Sequence, residues 1–186
     1  MSLVQATFSS NPLTLPATLA EANAELAGAT PTEIIAWGLA RARNPVISTN
    51  FRPHSAALLH MVTQACPGIP VIWVDTGYNT PATYRYVEAL RKRLDLNLKV
   101  YSPHVTVARR AALGGIPQPD AAAFSDFAHE TKVEPFERAF NEIRPDVWFT
   151  GVRADQSEFR AGLGIVSRGA HNTLRVAPVH AWKESD

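Results

Sequence analysis

Three clusters of polar side chains directly follow apolar runs in the sequence, and their residue types suit the binding of an anion. They occupy residues 48–52, 75–80 and 151–156. The first combines two hydroxyls and an amide with the guanidinium of Arg52, and it opens a helix near His54. Backbone N–H groups, a positive helix end and a guanidinium can together hold one oxyanion. An ordinary capped turn uses the same residue types, so one cluster alone leaves both interpretations open.

The apolar runs before these clusters predict strands, and helical patterns alternate with them. Strands are expected at residues 45–51, 70–75, 98–101, 147–150 and 174–178, and helices at residues 54–62, 81–94 and 133–143. Residues 70–75 are typical of a strand buried on both faces of a parallel sheet. The alternation predicts an α/β, Rossmann-like fold with a mainly parallel five-stranded sheet and helices on both faces. Ligands bind such folds beyond the carboxyl ends of the strands, where the three clusters stand.

Outside these elements the chain divides into an N-terminal part and a main domain. Residues 1–44 are expected to form an arm and helices packed on the core, and residues 45–186 the main domain. Pro16 stands at the start of the first helix, and Thr30 with Pro31 suits the cap and first position of the second. Residues 109–130 contain two glycines and two prolines and are predicted to form a mobile loop.

Composition and charge exclude several classes of protein. The chain has 186 residues, 46% of them hydrophobic, and 18 Lys and Arg against 17 Asp and Glu give a formal charge of +1. Binding of nucleic acid through a basic surface is not expected, because domains of that kind usually carry a strong excess of basic residues. Cys66 is the single cysteine, and neither a secretory leader nor an apolar run of about 18 residues for a membrane span is visible. The sequence therefore predicts a soluble, cytoplasmic, one-domain protein.

Arginine supplies 14 of the 18 cations. Guanidinium groups bind carboxylate and phosphate oxygens in a bidentate manner, so this bias suits a substrate with several oxyanions. Genomic base composition would produce the same bias and stays open as its cause.

Several motifs occur in an order that resembles one enzyme family. They include Val46-Ile47-Ser48-Thr49-Asn50-Phe51, Val74-Asp75-Thr76-Gly77-Tyr78, Lys132-Val133-Glu134-Pro135-Phe136, Trp148-Phe149-Thr150-Gly151-Val152-Arg153 and the closing Val176-Ala177-Pro178. From about Val46 to Trp182 the chain resembles the phosphoadenylyl-sulfate (PAPS) reductase family of sulfate assimilation. The resemblance implies an adenine nucleotide alpha-hydrolase-like, nucleotide-binding domain over residues 45–186.

The resemblance also implies which residues bind the substrate. Residues 48–55 would hold the phosphosulfate, residues 75–78 would border the nucleoside, and Lys132, Arg153 and Arg160 would surround the phosphates and the sulfonate. Each of these three cations taken alone is equally compatible with an ordinary surface residue. The implied set is Ser48, Thr49, Asn50, Phe51, Arg52, His54, Ser55, Asp75, Thr76, Gly77, Tyr78, Lys132, Gly151, Arg153, Gln156 and Arg160.

Two features depart from the family pattern. Arg52 stands where many members carry Gly, so the backbone would approach the phosphate less closely while a cation is gained. The family's cysteine nucleophile lies in a Glu-Cys-Gly-Leu-His-like tail, which is expected beyond Asp186. Cys66 does not replace it, because it follows His54 by twelve residues, roughly 18 Å along a helix. Cys66 is instead predicted to be a small buried residue.

The cysteine count also distinguishes subfamilies. Relatives that reduce adenylyl sulfate carry a Cys pair shortly before the segment equivalent to Lys132, for an iron–sulfur cluster. Residues 124–131 contain no cysteine, and the six histidines lack paired ligand spacing, so neither cluster nor metal is expected. The resemblance therefore implies the type that uses 3′-phosphoadenylyl sulfate, with thioredoxin or glutaredoxin as electron donor. It also allows a homodimer.

The expected activity is reduction of PAPS to sulfite and adenosine 3′,5′-bisphosphate, by this chain or with this chain as the nucleotide-binding portion. Two alternatives stay open. An ATP pyrophosphatase or adenylyltransferase on the same fold would release pyrophosphate from ATP in the presence of Mg²⁺. A non-catalytic adenine-nucleotide-binding module would bind the nucleotide without turnover.

Overall fold

A computed structural model describes residues 18–52 and 55–183 of the chain. Their strands form one six-stranded sheet in the order β3-β2-β1-β4-β6-β5. The strands are β1 (Pro45–Ser48), β2 (Pro70–Val74), β3 (Asn97–Tyr101), β4 (Val147–Phe149), β5 (Val166–Arg168) and β6 (Leu174–Val176). All neighbouring pairs are parallel except β5 with β6. Because β1 lies between β2 and β4, the strand order reverses there, and ligands of open α/β sheets bind at such a switch point.

Helices cover both faces of this sheet. They are α1 (Leu19–Glu25), α2 (Pro31–Leu39), α3 (Ser55–Ala65), α4 (Pro81–Leu94), α5 (Val107–Leu113), α6 (Ala123–Ala128), α7 (Glu134–Ile143) and α8 (Glu158–Ala161). Ile47 and Val71 pack into a large core with α2, α3 and α4. Val46 and Ile72 face the other way, against Phe140 of α7. The two central strands are therefore buried on both faces, as the predicted α/β fold requires.

Local sequence signals account for where the first helices begin. Thr18 and Thr30 each accept a hydrogen bond from the backbone of a glutamate three residues later, and that glutamate bonds back to the backbone of the threonine. These capping boxes satisfy N–H groups that a helix start leaves without partners. Helix α4 begins at Pro81 behind a Thr80 cap and ends at Leu94, which confirms the predicted bounds of 81–94.

The predicted number of strands was one too low. The missed strand, β5, has three residues and pairs antiparallel with β6 at the edge of the sheet. On its other side, the Asn23 side chain donates to Val166 O (2.8 Å) and accepts from Val166 N–H (3.0 Å). The amide of α1 thus takes the place of a further strand, a contact between residues 143 positions apart that local patterning does not encode.

The prediction of a mobile loop over residues 109–130 was wrong at both ends of that segment. Thr106 caps α5, which runs to Leu113 and ends at Gly114. At the other end, α6 continues into a π-helical turn, His129–Val133, which leads directly into α7. The glycines end a helix instead of marking a continuous loop.

Several expectations concern residues outside the described ranges, or boundaries that the fold does not test. The arm, Pro16 and His54 lie outside the described residues. Helix α2 packs against α3, β4 and β6, while the division of the chain at residue 45 stays a prediction. Within residues 18–52 and 55–183 no helix is long and apolar enough to cross a membrane.

Candidate functional site

The segment after β1 makes a tight turn around a buried aromatic ring. Thr49 N–H still donates to Ile72 O of β2 at 3.0 Å. Phe51 then adopts a left-handed backbone conformation (φ 51°), which costs a non-glycine residue roughly 1–2 kcal/mol. Its ring is 3% exposed and meets Trp73 edge-on, with the ring centres 5.3 Å apart. Burial of the ring offsets the backbone strain, so the Phe51 side chain anchors the turn and does not face the site.

Side-chain oxygens in this segment, the β1 loop (residues 49–55), bond back to its own backbone. Thr49 Oγ1 accepts from Phe51 N–H at 3.0 Å. Asn50 Oδ1 accepts from Arg52 N–H (3.2 Å) and from the Ser55 hydroxyl (3.1 Å). The polar side chains predicted to bind an anion therefore stabilise the conformation of their own loop. The exposed Arg52 side chain is the cation at its surface.

One carboxylate organises the β2 loop (residues 75–80). Asp75 Oδ1 accepts from Gly77 N–H at 3.0 Å, from Asn79 Nδ2 at 2.9 Å and from the Tyr84 hydroxyl at 2.8 Å. Burial and the Asp75 carboxylate both raise the pKa of Tyr84, so its hydroxyl keeps its proton and donates. Thr76 Oγ1 adds a bond from Tyr78 N–H at 3.3 Å. Asp75 thus serves as the hydrogen-bond centre of its own loop.

The β4 loop (residues 150–157) and α8 bring the predicted arginines together. Gln156 Oε1 accepts from Arg153 N–H (3.3 Å) and from Arg160 Nη1 (2.7 Å). Arg153 Nε also donates to Asp155 Oδ1 at 3.0 Å, and its side chain is 11% exposed. His180 supports both the loop and α8, because its carbonyl accepts from Ala154 N–H and its ring contacts Arg160 O. Gln156, predicted as a substrate ligand, therefore joins the Arg153 backbone to the Arg160 guanidinium.

Ser48 connects the first and third of these regions. Trp148 Nε1 of β4 donates to Ser48 Oγ at 2.8 Å. The hydroxyl still has its own proton to donate. Because β1 pairs with both β2 and β4, the β1, β2 and β4 loops leave the same edge of the sheet, which we call the carboxyl edge.

An aromatic contact connects the β2 loop with the helix that leads to Lys132. Tyr78 of the β2 loop meets Phe127 of α6 edge-on, with ring centres 5.7 Å apart. Phe127 O in turn accepts from the buried Thr131 hydroxyl at 2.7 Å. The next residue is Lys132, which is exposed on the π-helical turn. The sequence offered no signal for Phe127, because its segment was interpreted as a loop.

Cys66 lies away from the carboxyl edge. It is 8% exposed and follows the last residue of α3, which starts in the β1 loop and is about 16 Å long. Burial raises the pKa of its thiol, so the nucleophilic thiolate is disfavoured. The prediction of a small buried cysteine is confirmed.

The assembled site suits a ligand with several negative charges. Arg52, Lys132, Arg153 and Arg160 stand on segments next to the carboxyl edge, and a guanidinium presents a fork of donors that matches phosphate oxygens. Asp75, the carboxylate of the β2 loop, is engaged with three donors. Among the described residues no group of three or more His, Cys, Asp or Glu could hold a metal ion. This arrangement can bind and orient a polyanion and neutralise charge on it.

Comparison with known proteins finds relatives that share one name. The family model of the phosphoadenosine phosphosulfate reductase domain matches residues 44–186. A Synechococcus sp. protein named phosphoadenosine 5′-phosphosulfate reductase is 39% identical over 178 residues, which are 94% of this chain and 76% of that protein. The protein of the same name from Xanthomonas axonopodis pv. citri is 39% identical over 88% of this chain and 68% of its own length.

Solved structures agree on the fold. The phosphoadenylyl-sulfate reductase of Candida auris, in a phosphate complex, superposes with a TM-score of 0.76 at 21% identity, over 94% of this chain and 85% of that one. FMN adenylyltransferase of Candida glabrata gives a TM-score of 0.59 at 14% identity, over 93% of this chain and 58% of that one. These likenesses confirm the predicted fold class.

Proposed function

The chain belongs to the phosphoadenosine phosphosulfate reductase family, and on that premise we propose that it binds 3′-phosphoadenylyl sulfate at the carboxyl edge and serves its reduction to sulfite in sulfate assimilation. The observation that carries this proposal is the meeting of the β1, β2 and β4 loops at the sheet's switch point, within the residues 44–186 that the family model matches. A nucleotide with a phosphosulfate and a 3′-phosphate supplies the several oxyanions that the arginines can bind.

We propose the following division of roles. The backbone N–H groups at the start of α3, together with Arg52 and His54, hold the phosphosulfate. The β2 loop, ordered by Asp75, borders the nucleoside. Lys132, Arg153 and Arg160 surround the phosphates and the sulfonate, and they stabilise the charge that develops on the leaving phosphate.

The chemical step needs a thiolate. It would attack the sulfonate sulfur, the bond from that sulfur to the phosphate oxygen would break, and adenosine 3′,5′-bisphosphate would leave with the electron pair. The product is an S-sulfonated cysteine. A dithiol donor such as thioredoxin or glutaredoxin would then release sulfite and become a disulfide, which regenerates the cysteine thiol.

We place the attacking thiol beyond Asp186 and not at Cys66. Attack requires the sulfur within about 3–3.5 Å of its target, whereas Cys66 stands at the far end of α3 with its thiol protonated. The proposal includes a cluster-free, thioredoxin-dependent reaction in the cytoplasm. The proposed assembly is a homodimer, which light scattering would distinguish from a monomer.

The test is a sulfite-release assay with PAPS, thioredoxin, thioredoxin reductase and NADPH. Three proteins are compared: this chain, its Cys66→Ser variant, and the chain extended through its native downstream sequence. We expect all three to bind adenosine 3′,5′-bisphosphate and only the extended chain to release sulfite. Sulfite release by the short chain that disappears in Cys66→Ser would refute the assignment of the thiol.

The same samples test the two alternatives. Mg²⁺-dependent release of pyrophosphate from ATP, without sulfite from PAPS, would favour an ATP pyrophosphatase or adenylyltransferase. Nucleotide binding with no sulfite even from the extended chain would favour a non-catalytic binding module.

A further inference from the structure

Helix α5 packs against the β2 loop at Gly77. Gly77 has a left-handed backbone (φ 80°), and a Cβ atom built there would lie 2.6 Å from Val107 Cγ2. A residue other than glycine would therefore both strain the turn and push α5 away. The first turn of α5 and the β2 loop are held in close contact at this point.

A second connection from α5 runs through Arg110. Its guanidinium lies over the ring of Phe127, 5.2 Å from the ring centre, and forms an ion pair with Glu130. The Arg110 side chain is 15% exposed, whereas that of its partner is 51% exposed. An arginine that is largely buried between an aromatic face and a carboxylate has a fixed position, because both contacts are directional.

Phe127 is the centre of this arrangement. Its ring contacts Tyr78 of the β2 loop, and its carbonyl accepts a hydrogen bond from the Thr131 hydroxyl in the π-helical turn. That turn carries both Glu130 and Lys132. Single π-helical turns within helices occur frequently at functional sites, where the extra residue re-aims the side chains of the turn. Phe127 therefore connects Tyr78, through its ring, with the π-helical turn that carries Lys132, through its carbonyl.

We propose that Arg110, Phe127 and Glu130 are positioning residues. They hold Tyr78, which borders the nucleoside, and the cation Lys132 at the relative position in which both contact the same nucleotide. This inference rests on the proposed function. The Arg110–Glu130 ion pair fastens the π-helical turn to α5, and the Phe127 ring transmits that position to the β2 loop. Loss of any member leaves the ligand-contacting side chains present but less well ordered, so nucleotide affinity falls.

A double-mutant cycle on the ion pair tests the inference. Arg110→Gln, Glu130→Gln and the double variant are titrated calorimetrically with adenosine 3′,5′-bisphosphate, far below the melting temperature of each protein. We expect each single variant to bind about five-fold more weakly, and the double variant to match the singles and not multiply them, because the two residues act as one unit. Arg109→Gln, on the exposed surface of the same helix, is the control and should keep the original affinity.

A second pair of variants addresses the ring. Phe127→Leu should weaken nucleotide binding, whereas Phe127→Tyr, which keeps the ring, should restore it to within about two-fold. A purely structural role would lower the melting temperature of these variants without altering the nucleotide affinity of the folded protein, and that result would overturn the inference. A loss of affinity in the Arg110→Gln, Glu130→Gln double variant equal to the product of the two single losses would also overturn it.

The outcomes separate this inference from the proposed function. If the unaltered chain binds the nucleotide and the variants bind equally well, the positioning role is wrong and the proposed function stands. If the unaltered chain does not bind adenosine 3′,5′-bisphosphate, both are wrong.

Discussion

The β1 loop and the β4 loop flank the same switch point, yet they are ordered in different ways. In the β1 loop, Thr49 and Asn50 direct their side-chain oxygens to the loop's own backbone. In the β4 loop, Gln156 directs its oxygen to two arginines. The first loop is therefore a preformed turn with the exposed Arg52 side chain at its surface. The second holds the guanidinium of Arg160 through Gln156 and that of Arg153 through Asp155. A polyanionic ligand between them meets few groups that still have to be ordered, which reduces the entropic cost of binding.

This comparison predicts that the largest loss of affinity comes from removing a cation of the β4 loop. Arg153→Ala should weaken binding of adenosine 3′,5′-bisphosphate roughly ten-fold or more, because a charge-assisted hydrogen bond contributes about 1.5–3 kcal/mol. Calorimetric titration measures the effect. Arg93→Ala, which removes an exposed arginine near the end of α4, is the matched control. Unchanged affinity in a folded Arg153→Ala protein would make Arg153 an ordinary surface residue.

A smaller loss of affinity is expected when both arginines stay but lose the Gln156 oxygen. Gln156→Leu removes the oxygen that Arg153 N–H and Arg160 Nη1 share. Ordering a long side chain costs about 0.5–1.5 kcal/mol, so affinity should fall roughly three- to ten-fold. The double variant Gln156→Leu, Arg160→Ala should bind better than the product of the two single effects predicts, because Gln156 orders the Arg160 guanidinium. Strict multiplication would mean that Gln156 contacts the ligand independently.

The β1 loop should respond more weakly to a single side-chain change. Asn50→Ala removes the acceptor for Arg52 N–H and for the Ser55 hydroxyl, and each such neutral bond has a net value of about 0.5–1.5 kcal/mol. We expect roughly three-fold weaker binding of inorganic phosphate and a lower melting temperature. Asn141→Ala, on the exposed surface of α7, should change neither. An Asn50 effect larger than that of Arg153→Ala would reverse the comparison.

The smallest effect is expected at the far end of α3. Cys66→Ser should leave nucleotide affinity unchanged within error. Because burial raises the pKa of the Cys66 thiol, its thiolate is scarce at neutral pH and becomes available only as the pH rises through that elevated pKa. Alkylation by iodoacetamide at pH 7.5 should therefore be slow in the folded protein and fast in urea. Rapid labelling that the nucleotide blocks would place Cys66 in the site.

The sequence was sufficient for features that depend on neighbouring residues. The apolar run before Asp75 identified a strand buried on both faces, and Pro81 marked the start of α4. Because parallel strands end at one edge, three separate polar clusters could be assigned to one site.

The features that it missed depend on contacts between distant parts of the chain. Strand β5 is completed by Asn23 of α1, and the position of α5 depends on the fit of Val107 against Gly77. The family resemblance placed Phe51 in the substrate-binding set, and it is the packing against Trp73 that buries its ring. Periodicity and turn chemistry describe local preferences, and tertiary packing decides these three cases.

The central claim is that the carboxyl edge, between the β1 and β4 loops, holds the nucleotide. A crystal structure with adenosine 3′,5′-bisphosphate at saturating concentration tests it most directly. We predict density for one phosphate between Arg52 and the N-terminus of α3, with Arg153 and Arg160 on the opposite side and the nucleoside beside Tyr78. Nucleotide density elsewhere on the protein, with this edge empty, would contradict the account.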